Sequence, residues 1–479
     1  MEFITYEMFG AVGDGFTDDM PAIVKAHEEA NRCRKPVQAK AGATYYISPK
    51  DLTAVIKTNV DWTDAKFIID DVDCENRRSS VFEVTSWEEP LSFTINSLTV
   101  GQNAIDNPYN RDLFLIVKNE NHRDYIRRGL NQNNGAPRTD NFILRADGTL
   151  PSPVSFEFTE VTSVTALPMD NETLILKGGE FLTIANQGPI RYDYHYRNIK
   201  IKRSNVEVAG ITHLITGELD HGSPYNGFLQ ITECADIYVH DCVFTGHKIY
   251  KFLMDNGQWN HMGTYDIIIG NAASVTLSRC TQTTDILNRD YWGLMGSNFC
   301  RDILLEDCCF SRFDAHQGVT NCTLRRCTLG WQCINAIGNG TFTIEEVTAQ
   351  GHTFVNLRDD YGSHWKGDMI IKNVVWRPAV AMKSFFVADN DGMHDFGYEC
   401  YLPQNITIDG LTVITEEETA DPLYLFNDYS GDPSVAAEER KYLPVTPVSV
   451  TLKNIQTNRP VQLCQNPALM PETIFTIES

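Results

Sequence analysis

Positive charge is scarce in this chain: 40 lysines and arginines stand against 63 aspartates and glutamates, a formal net charge of −23. Lacking a basic surface to displace counterions from phosphates, the protein is not expected to partner nucleic acid or an anionic membrane. No apolar run reaches the length of a membrane span. Residues 1–20 carry no basic stretch followed by an apolar one, so the expectation is a cytoplasmic protein that does not use the general export route. Other absences narrow the chemistry. No C-x-x-C pair or histidine-containing zinc spacing occurs, nor any G-x-S-x-G elbow or G-x-G-x-x-G loop between a strand and a helix. Structural zinc, a serine-hydrolase elbow and a dinucleotide loop are therefore not expected.

What is present is a repeated phrase. An aliphatic residue, a spacer and a second aliphatic, followed by Asn, Asp, Arg or Glu and then a small or apolar residue, recur with anchors at Ile199, Ile237, Val275, Ile303, Cys322, Phe342, Met369, Ile406 and Val450. Five residues after each anchor stand Ser204, Cys242, Cys280, Cys308, Cys327, Val347, Val374, Leu411 and Ile455. Because strand side chains alternate faces, each copy is a short strand with one buried side. Such a side is buried only by stacking copies as coils of a solenoid. Four of the thirteen cysteines occupy the inward slot of consecutive copies, which predicts reduced thiols packed as small hydrophobes in a reducing compartment.

The amino-terminal segment reads Phe9-Gly10-Ala11-Val12-Gly13-Asp14-Gly15-Phe16-Thr17-Asp18-Asp19, and a helix is predicted from Met20 to Arg32 with Ala22, Ile23, Ala26 and Ala30 on one face. Thr17, Asp18 and Asp19 are suitable N-cap and first-turn residues. The glycines are read as structural turns. Strand-like Lys40-Ala41-Gly42-Ala43-Thr44-Tyr45-Tyr46-Ile47 follows. This segment, over residues 9–70, resembles the start of the pectate-lyase-like superfamily, whose G-A-x-G-D-G-x-x-D-D phrase precedes a capping helix. The resemblance implies an all-β, right-handed single-stranded parallel β-helix. It is shared by hydrolases, lyases, epimerases and phage tail depolymerases, so it does not decide the activity. Three regions are expected: a cap with the first coils in 1–96, an inserted β-rich subdomain in 97–190, and the main helix with a carboxy-terminal cap in 191–479. The insertion holds the one basic cluster, Arg123 to Arg128, read as a solvated face rather than the lip of a groove.

Solenoids of this kind present side chains to extended polymers along a groove, so a carbohydrate substrate is expected. Most of the acids that recur at coil ends are ordinary turn residues. Asp290, Asp314, Asp359 and Asp360 differ in standing beside Arg, His, Tyr or Trp. Alternation predicts Phe313 and Ala315 inward with Asp314 and His316 outward, an acid–base or acid–orienter pair. Glycoside hydrolysis needs two carboxylates, which this set would supply. Arg289, Tyr291, Trp292, Arg358, His364, Trp365 and His247 are expected to bind sugar or orient the acids. The resemblance favours the polygalacturonase-related hydrolase branch over the lyase branch. The Asp359-Asp360 pair matches that branch, but its N-T-D and R-I-K phrases are absent and Thr245-Gly246-His247 matches its G-H-G faintly, so galacturonan specificity does not carry over. A lyase or uronate epimerase is the enzymatic alternative, and a non-catalytic, trimeric phage-tail-type β-helix the other. No cofactor is expected; calcium at Asp389-Asn390-Asp391-Gly392 is the alternative, though the later ligand spacing fails.

Overall fold

The computed structural model describes residues 3–478 apart from 128–132, 190–192, 254–256, 258, 359–360, 380, 390–396, 416–420 and 432–442. Short strands stacked in parallel make a right-handed parallel β-helix, the predicted class, with a single α-helix among the described residues. The chain divides into two compact units, residues 1–90 with 167–296 and residues 91–166 with 297–479.

In the first unit the coil strands stack in three columns. One column holds Val37–Gln38, Val60–Asp61, Leu174–Lys177, Val206–Ala209, Ala235–His240 and Ala273–Ser278. Thr44–Ile47, Lys66–Asp70, Glu180–Ile184 and Thr212–Thr216 form the second. Ala54–Ile56, Phe82–Val84, Ile199–Ile201, Asn226–Thr232 and Tyr265–Gly270 form the third. Inward side chains fill the axis, as where Phe67 and Phe181 stack at 4.8 Å between centroids. The helix, Met20–Cys33, buries Ala22, Ile23, Ala26 and Ala30 as its periodicity predicts, and His27 with them. Asp19 stands at the N-cap position without a side-chain cap bond. Its carboxylate instead accepts the Val12 and Gly13 amides at 2.7 and 3.1 Å, so the glycine phrase folds around one buried acid.

One anchor is corrected by this register. Ile199 pairs with Leu229, in the third column, whereas Val206 pairs with Ile237, which pairs in turn with Val275. The physical marker is the residue before the anchor: Asn205, Asp236 and Ser274 adopt φ of 58°, 56° and 55°. Short polar side chains tolerate that left-handed corner best.

In the second unit Ile303, Cys322, Phe342, Met369, Ile406 and Val450 stand in one register, and Phe475 extends the column by a strand that sequence reading missed. Just before the inward slot each of these six coils bends at a left-handed residue: Asp307, Arg326, Glu346, Asn373, Gly410 and Asn454. Stacked corners bond one another, as in the Arg326–Asp307 pair at 2.8 Å. All thirteen cysteines are free, and Cys242, Cys280, Cys308 and Cys327 are buried as the packing role requires.

Residues 91–166 form an antiparallel layer in which Leu113–Asp124 pairs with Ala136–Leu144, around a core of Leu113, Leu115, Val117, Phe142, Leu144 and Phe158. The layer is narrower than the expected 97–190. Leu174–Lys177 and Glu180–Ile184 are coil strands, their alternating buried Leu174, Leu176 and Phe181 facing the helix axis. A buried ion pair between Asp140 of the layer and Arg301 of the coils fixes the layer in place. Arg301 donates further to the Pro153 carbonyl at 2.8 Å and the Ser155 hydroxyl at 2.7 Å. Breaking such a pair costs about 3–5 kcal/mol, because the remaining charge stays buried without compensation.

Candidate functional site

Where the antiparallel layer lies against the coils, the second unit opens a cleft of about 740 Å³. The layer contributes His122, Arg123, Asp124, Tyr125, Arg138, Phe156 and Glu157. The coils contribute Asn339, Gly340, His364, Lys366, Tyr398, Glu399 and Tyr401. The basic cluster expected as a solvated face is therefore, at Arg123, part of a groove wall. Close approach of the backbone shapes the floor: a Cβ at Gly367, whose φ is +146°, would stand 2.2 Å from the Gly340 carbonyl oxygen.

Tyr125 organises the cleft from beneath. Buried and left-handed at φ 55°, it packs edge-on against Phe299, Tyr361, His364 and Tyr398, with centroids between 5.8 and 6.4 Å. Tyr398 and Tyr401 are only half-buried, leaving ring surface for a ligand, and the Lys366 ammonium stands 4.7 Å from the Tyr401 centroid. Burial pushes the His364 imidazole down to about 4, so the ring is neutral near pH 7. Its Nδ1 accepts the Tyr401 amide at 3.1 Å, which leaves Nε2 as the donor.

Three carboxylates reach the cleft in different states of engagement. Asp124 is gripped by the Arg138 fork at 3.0 and 3.1 Å and touched by His122 at 3.3 Å. Glu157 is exposed and accepts the Val100 amide at 3.2 Å. Glu399, also exposed, accepts the Tyr401 hydroxyl. Aromatic faces, fixed donors and more than one accessible acid are the components that bind and protonate a saccharide.

The residues singled out by sequence fall in several places. His364 lines the cleft. Trp365 is fully buried, its indole 5.1 Å from Phe342 and its N–H donated to the Gly340 carbonyl at 3.1 Å, so it packs the coil behind the cleft and presents no face to solvent. Asp314, expected on the outward face of its strand beside a groove, is fully buried, because the guanidiniums of Arg312 and Arg358 close over it at 2.6 and 3.1 Å. Asparagines continue its column, with Asn356 donating to Asn335 at 2.9 Å. Half-buried His316 places Nδ1 2.7 Å from the Asn298 side-chain oxygen. Asp359 and Asp360 lie outside the described residues.

The remaining candidates belong to the first unit. Arg289 and Asp290 are exposed at a turn, where the Asp290 amide donates to Asn288 Oδ1 at 2.9 Å. Tyr291 bridges Lys248, and the Trp292 amide donates to the His247 carbonyl at 3.0 Å. His247 itself is fully buried in a chain of charges. Its Nε2 meets Asp266 at 3.1 Å and its Nδ1 meets Glu218 at 3.2 Å, while His213 lies 2.8 Å from Asp266 and stacks on Phe228. Burial alone would depress the His247 imidazole; the bonds to Asp266 and Glu218 outweigh it and lift the group to about 9. Burial would raise Asp266, and His213 and His247 instead hold it down to about 2. This is a folded charge network rather than an open groove.

Tyr125, Arg138, Glu157, Tyr398, Glu399 and Tyr401 were not singled out by sequence reading. The signal for the last three was the aromatic spacing in Tyr398-Glu399-Cys400-Tyr401, which has no place in the coil phrase. Among the described residues no group of three or more His, Cys, Asp or Glu side chains is arranged to hold a metal. Of the acidic loop considered for calcium, 389–392, only Asp389 is among the described residues.

No protein-family profile matches the chain, and no curated protein is similar to it in sequence. Its fold is similar to that of several solved structures. The tailspike gp61 of Pseudomonas phage phi297 superposes with a TM-score of 0.55 at 11% identity, covering 95% of this chain and 81% of that one. Tailspike gp49 of Pseudomonas phage LKA1 gives 0.55 at 13%, covering 98% and 84%. The Gp54 tailspike of Acinetobacter baumannii bacteriophage AP22, solved in complex with an A. baumannii capsular saccharide, gives 0.57 at 9%, covering 99% and 79%. At these identities the likeness establishes the parallel β-helix fold alone.

Proposed function

We propose that this protein is a carbohydrate-active enzyme that binds a polysaccharide in the second-unit cleft and hydrolyses a glycosidic bond there. The observation that carries the reading is the joint presence, in one cleft, of the half-buried rings Tyr398 and Tyr401 and the exposed acids Glu157 and Glu399. Sugar faces stack on the rings. Of the two glutamates, one would protonate the leaving oxygen and the other activate water or attack the anomeric carbon. Asp124, held by Arg138, is a fixed anion that would orient hydroxyl groups, and neutral His364 a hydrogen-bond donor. A saccharide bound to the AP22 tailspike, a protein of the same fold, supports the substrate class.

A second reading, a glycan-binding β-helix without hydrolysis, draws support from the same two glutamates, since neither is buried in the way that primes a carboxylic acid as proton donor. One experiment separates the readings. A panel of bacterial capsular and plant polysaccharides is incubated with the protein, and products are assayed for new reducing ends and for the ultraviolet absorbance of unsaturated sugars. Hydrolysis yields reducing ends without absorbance, a lyase yields both, and pure binding yields neither. Glu157→Gln and Glu399→Gln are each expected to lower cleavage by ~10²–10⁴. Retention of more than a tenth of the activity in both variants would remove the assignment.

A further inference from the structure

The surroundings of His364 narrow the sugar that the second-unit cleft would take. The imidazole lines that cleft and is 7% exposed. Its Nδ1 is occupied by the Tyr401 amide at 3.1 Å, so the ring proton sits on Nε2. That Nε2–H makes no hydrogen bond to any described residue, and it keeps surface toward the cleft. A donor so nearly enclosed is costly to leave without an acceptor, and a ligand entering the cleft supplies one.

The walls around this donor are aromatic. Tyr125, Tyr398 and Tyr401 surround the imidazole with centroids at 6.0, 5.7 and 6.0 Å. The Tyr398 hydroxyl donates to the Tyr361 carbonyl at 2.5 Å and the Tyr401 hydroxyl to Glu399, so these two half-buried rings offer faces rather than hydroxyl protons to a ligand. A ligand hydroxyl meeting Nε2–H would bring its own proton against ring carbon. A ligand carboxylate is opposed by its neighbours, because Asp124, Glu157 and Glu399 line the same cleft in a chain of net charge −23. Of the cations there, Arg138 is spent on Asp124, and Arg123 and Lys366 are exposed, where water and salt screen them. An amide carbonyl meets both demands. It accepts without carrying a proton, and the methyl of an acetyl group beside it suits the ring faces, while the amide N–H can donate to one of the lining carboxylates.

We infer that the cleft selects a saccharide containing an acetamido sugar, whose carbonyl oxygen accepts a hydrogen bond from His364 Nε2–H and whose methyl group packs on Tyr398 and Tyr401. This specificity rests on the saccharide reading of the same cleft given above. His364 chooses the sugar and takes no part in breaking the glycosidic bond.

The test compares sugars that differ in one substituent. Binding of N-acetyl-D-glucosamine, N-acetyl-D-galactosamine and N-acetyl-D-mannosamine to the full chain is measured by saturation-transfer NMR against D-glucose, D-galactose and D-mannose, with D-glucuronic and D-galacturonic acid as the anionic arm. At least one N-acetylhexosamine is expected to bind about tenfold more tightly than its parent hexose, a net hydrogen bond and a buried methyl each contributing roughly two- to tenfold. Its acetyl methyl should receive the strongest saturation. His364→Phe keeps a ring and removes the donor, and should bring the ratio of N-acetyl to parent affinity down to about threefold or less. A merely structural defect would weaken both sugars alike and hold the ratio, which would overturn the inference. His364→Gln, able to accept the Tyr401 amide and still donate, should restore the preference, and serves if the phenylalanine variant does not fold. No preference for any N-acetylhexosamine, or tighter binding of a uronic acid that Lys366→Gln abolishes, would also overturn it. Polysaccharide cleavage without that preference removes this specificity alone; if no sugar binds and no polysaccharide is cleaved, the saccharide reading falls and this one with it.

Discussion

Asp314→Asn distinguishes a buried structural ion pair from a catalytic acid. The substitution keeps volume and removes one negative charge from between two guanidiniums whose side chains are 5% and 14% exposed. Uncompensated buried charge of this kind costs about 3–5 kcal/mol. Unfolding entropy near the midpoint is roughly 2.1 cal/mol/K per residue, so a second unit of about 260 residues gains ~0.55 kcal/mol/K on melting. The expected fall in Tm is then about 5–9 °C if that unit melts alone. If the whole chain melts together, the same energy is spread over ~1 kcal/mol/K and the fall is about 3–5 °C. Differential scanning calorimetry reads both the shift and the number of transitions. Cleavage per folded molecule, measured well below the transition, should stay within tenfold of wild type. The reverse pattern, an unchanged Tm with a loss of ~10²-fold or more in rate, would refute the structural role and make Asp314 the catalytic acid.

Other expectations follow from separate parts of the molecule. Tyr401→Ala removes a ring that stacks with Lys366 at the cleft and should weaken saccharide binding by about tenfold, an aromatic contact of ~0.5–1.5 kcal/mol plus lost area, read by isothermal titration. His247, lifted from its ordinary 6.5 to about 9, contributes stability that is complete below about pH 6.5 and lost as pH rises through 9. Glu218 and Asp266, both depressed, contribute stability present above about pH 4.5 and lost in acid. Melting followed against pH should therefore fall between 6.5 and 9 in the wild type, and His247→Gln should flatten that alkaline limb; an identical limb in the variant would contradict the network. Glu346→Gly, at an exposed left-handed corner, relieves ~1–2 kcal/mol of backbone strain against ~0.5–1 kcal/mol of added chain entropy, so Tm should hold or rise slightly, whereas glycine at the buried strand position Ile344 should lower it sharply.

The second unit's register was legible in sequence because its determinants are local. Each copy carries two inward aliphatics and a polar residue able to turn left-handed, and the six anchors from Ile303 to Val450 align as spaced. Ile199 misled because Asn198-Ile199-Lys200-Ile201 has the same polar and aliphatic pattern as Asn205-Val206-Glu207-Val208, and the left-handed φ of Asn205 distinguishes them. The site was less legible. Its cleft arises where a layer 200 or more residues distant in sequence meets coils near Tyr401, and no periodicity encodes that meeting. Alternation correctly gave Phe313 and Ala315 an inward face, but it could not show that Arg358, 44 residues later, would return to cover Asp314.

The antiparallel layer begins and ends at one point: the Leu91 amide donates to the Ala166 carbonyl at 2.9 Å, and these two residues form an antiparallel bridge. Topologically the layer is a long loop with its ends closed, so its contents can be exchanged without shifting the register of any coil. Descendants could therefore acquire a new half of the ligand cleft by replacing one contiguous cassette, and surface recognition could diversify while the solenoid stays unaltered.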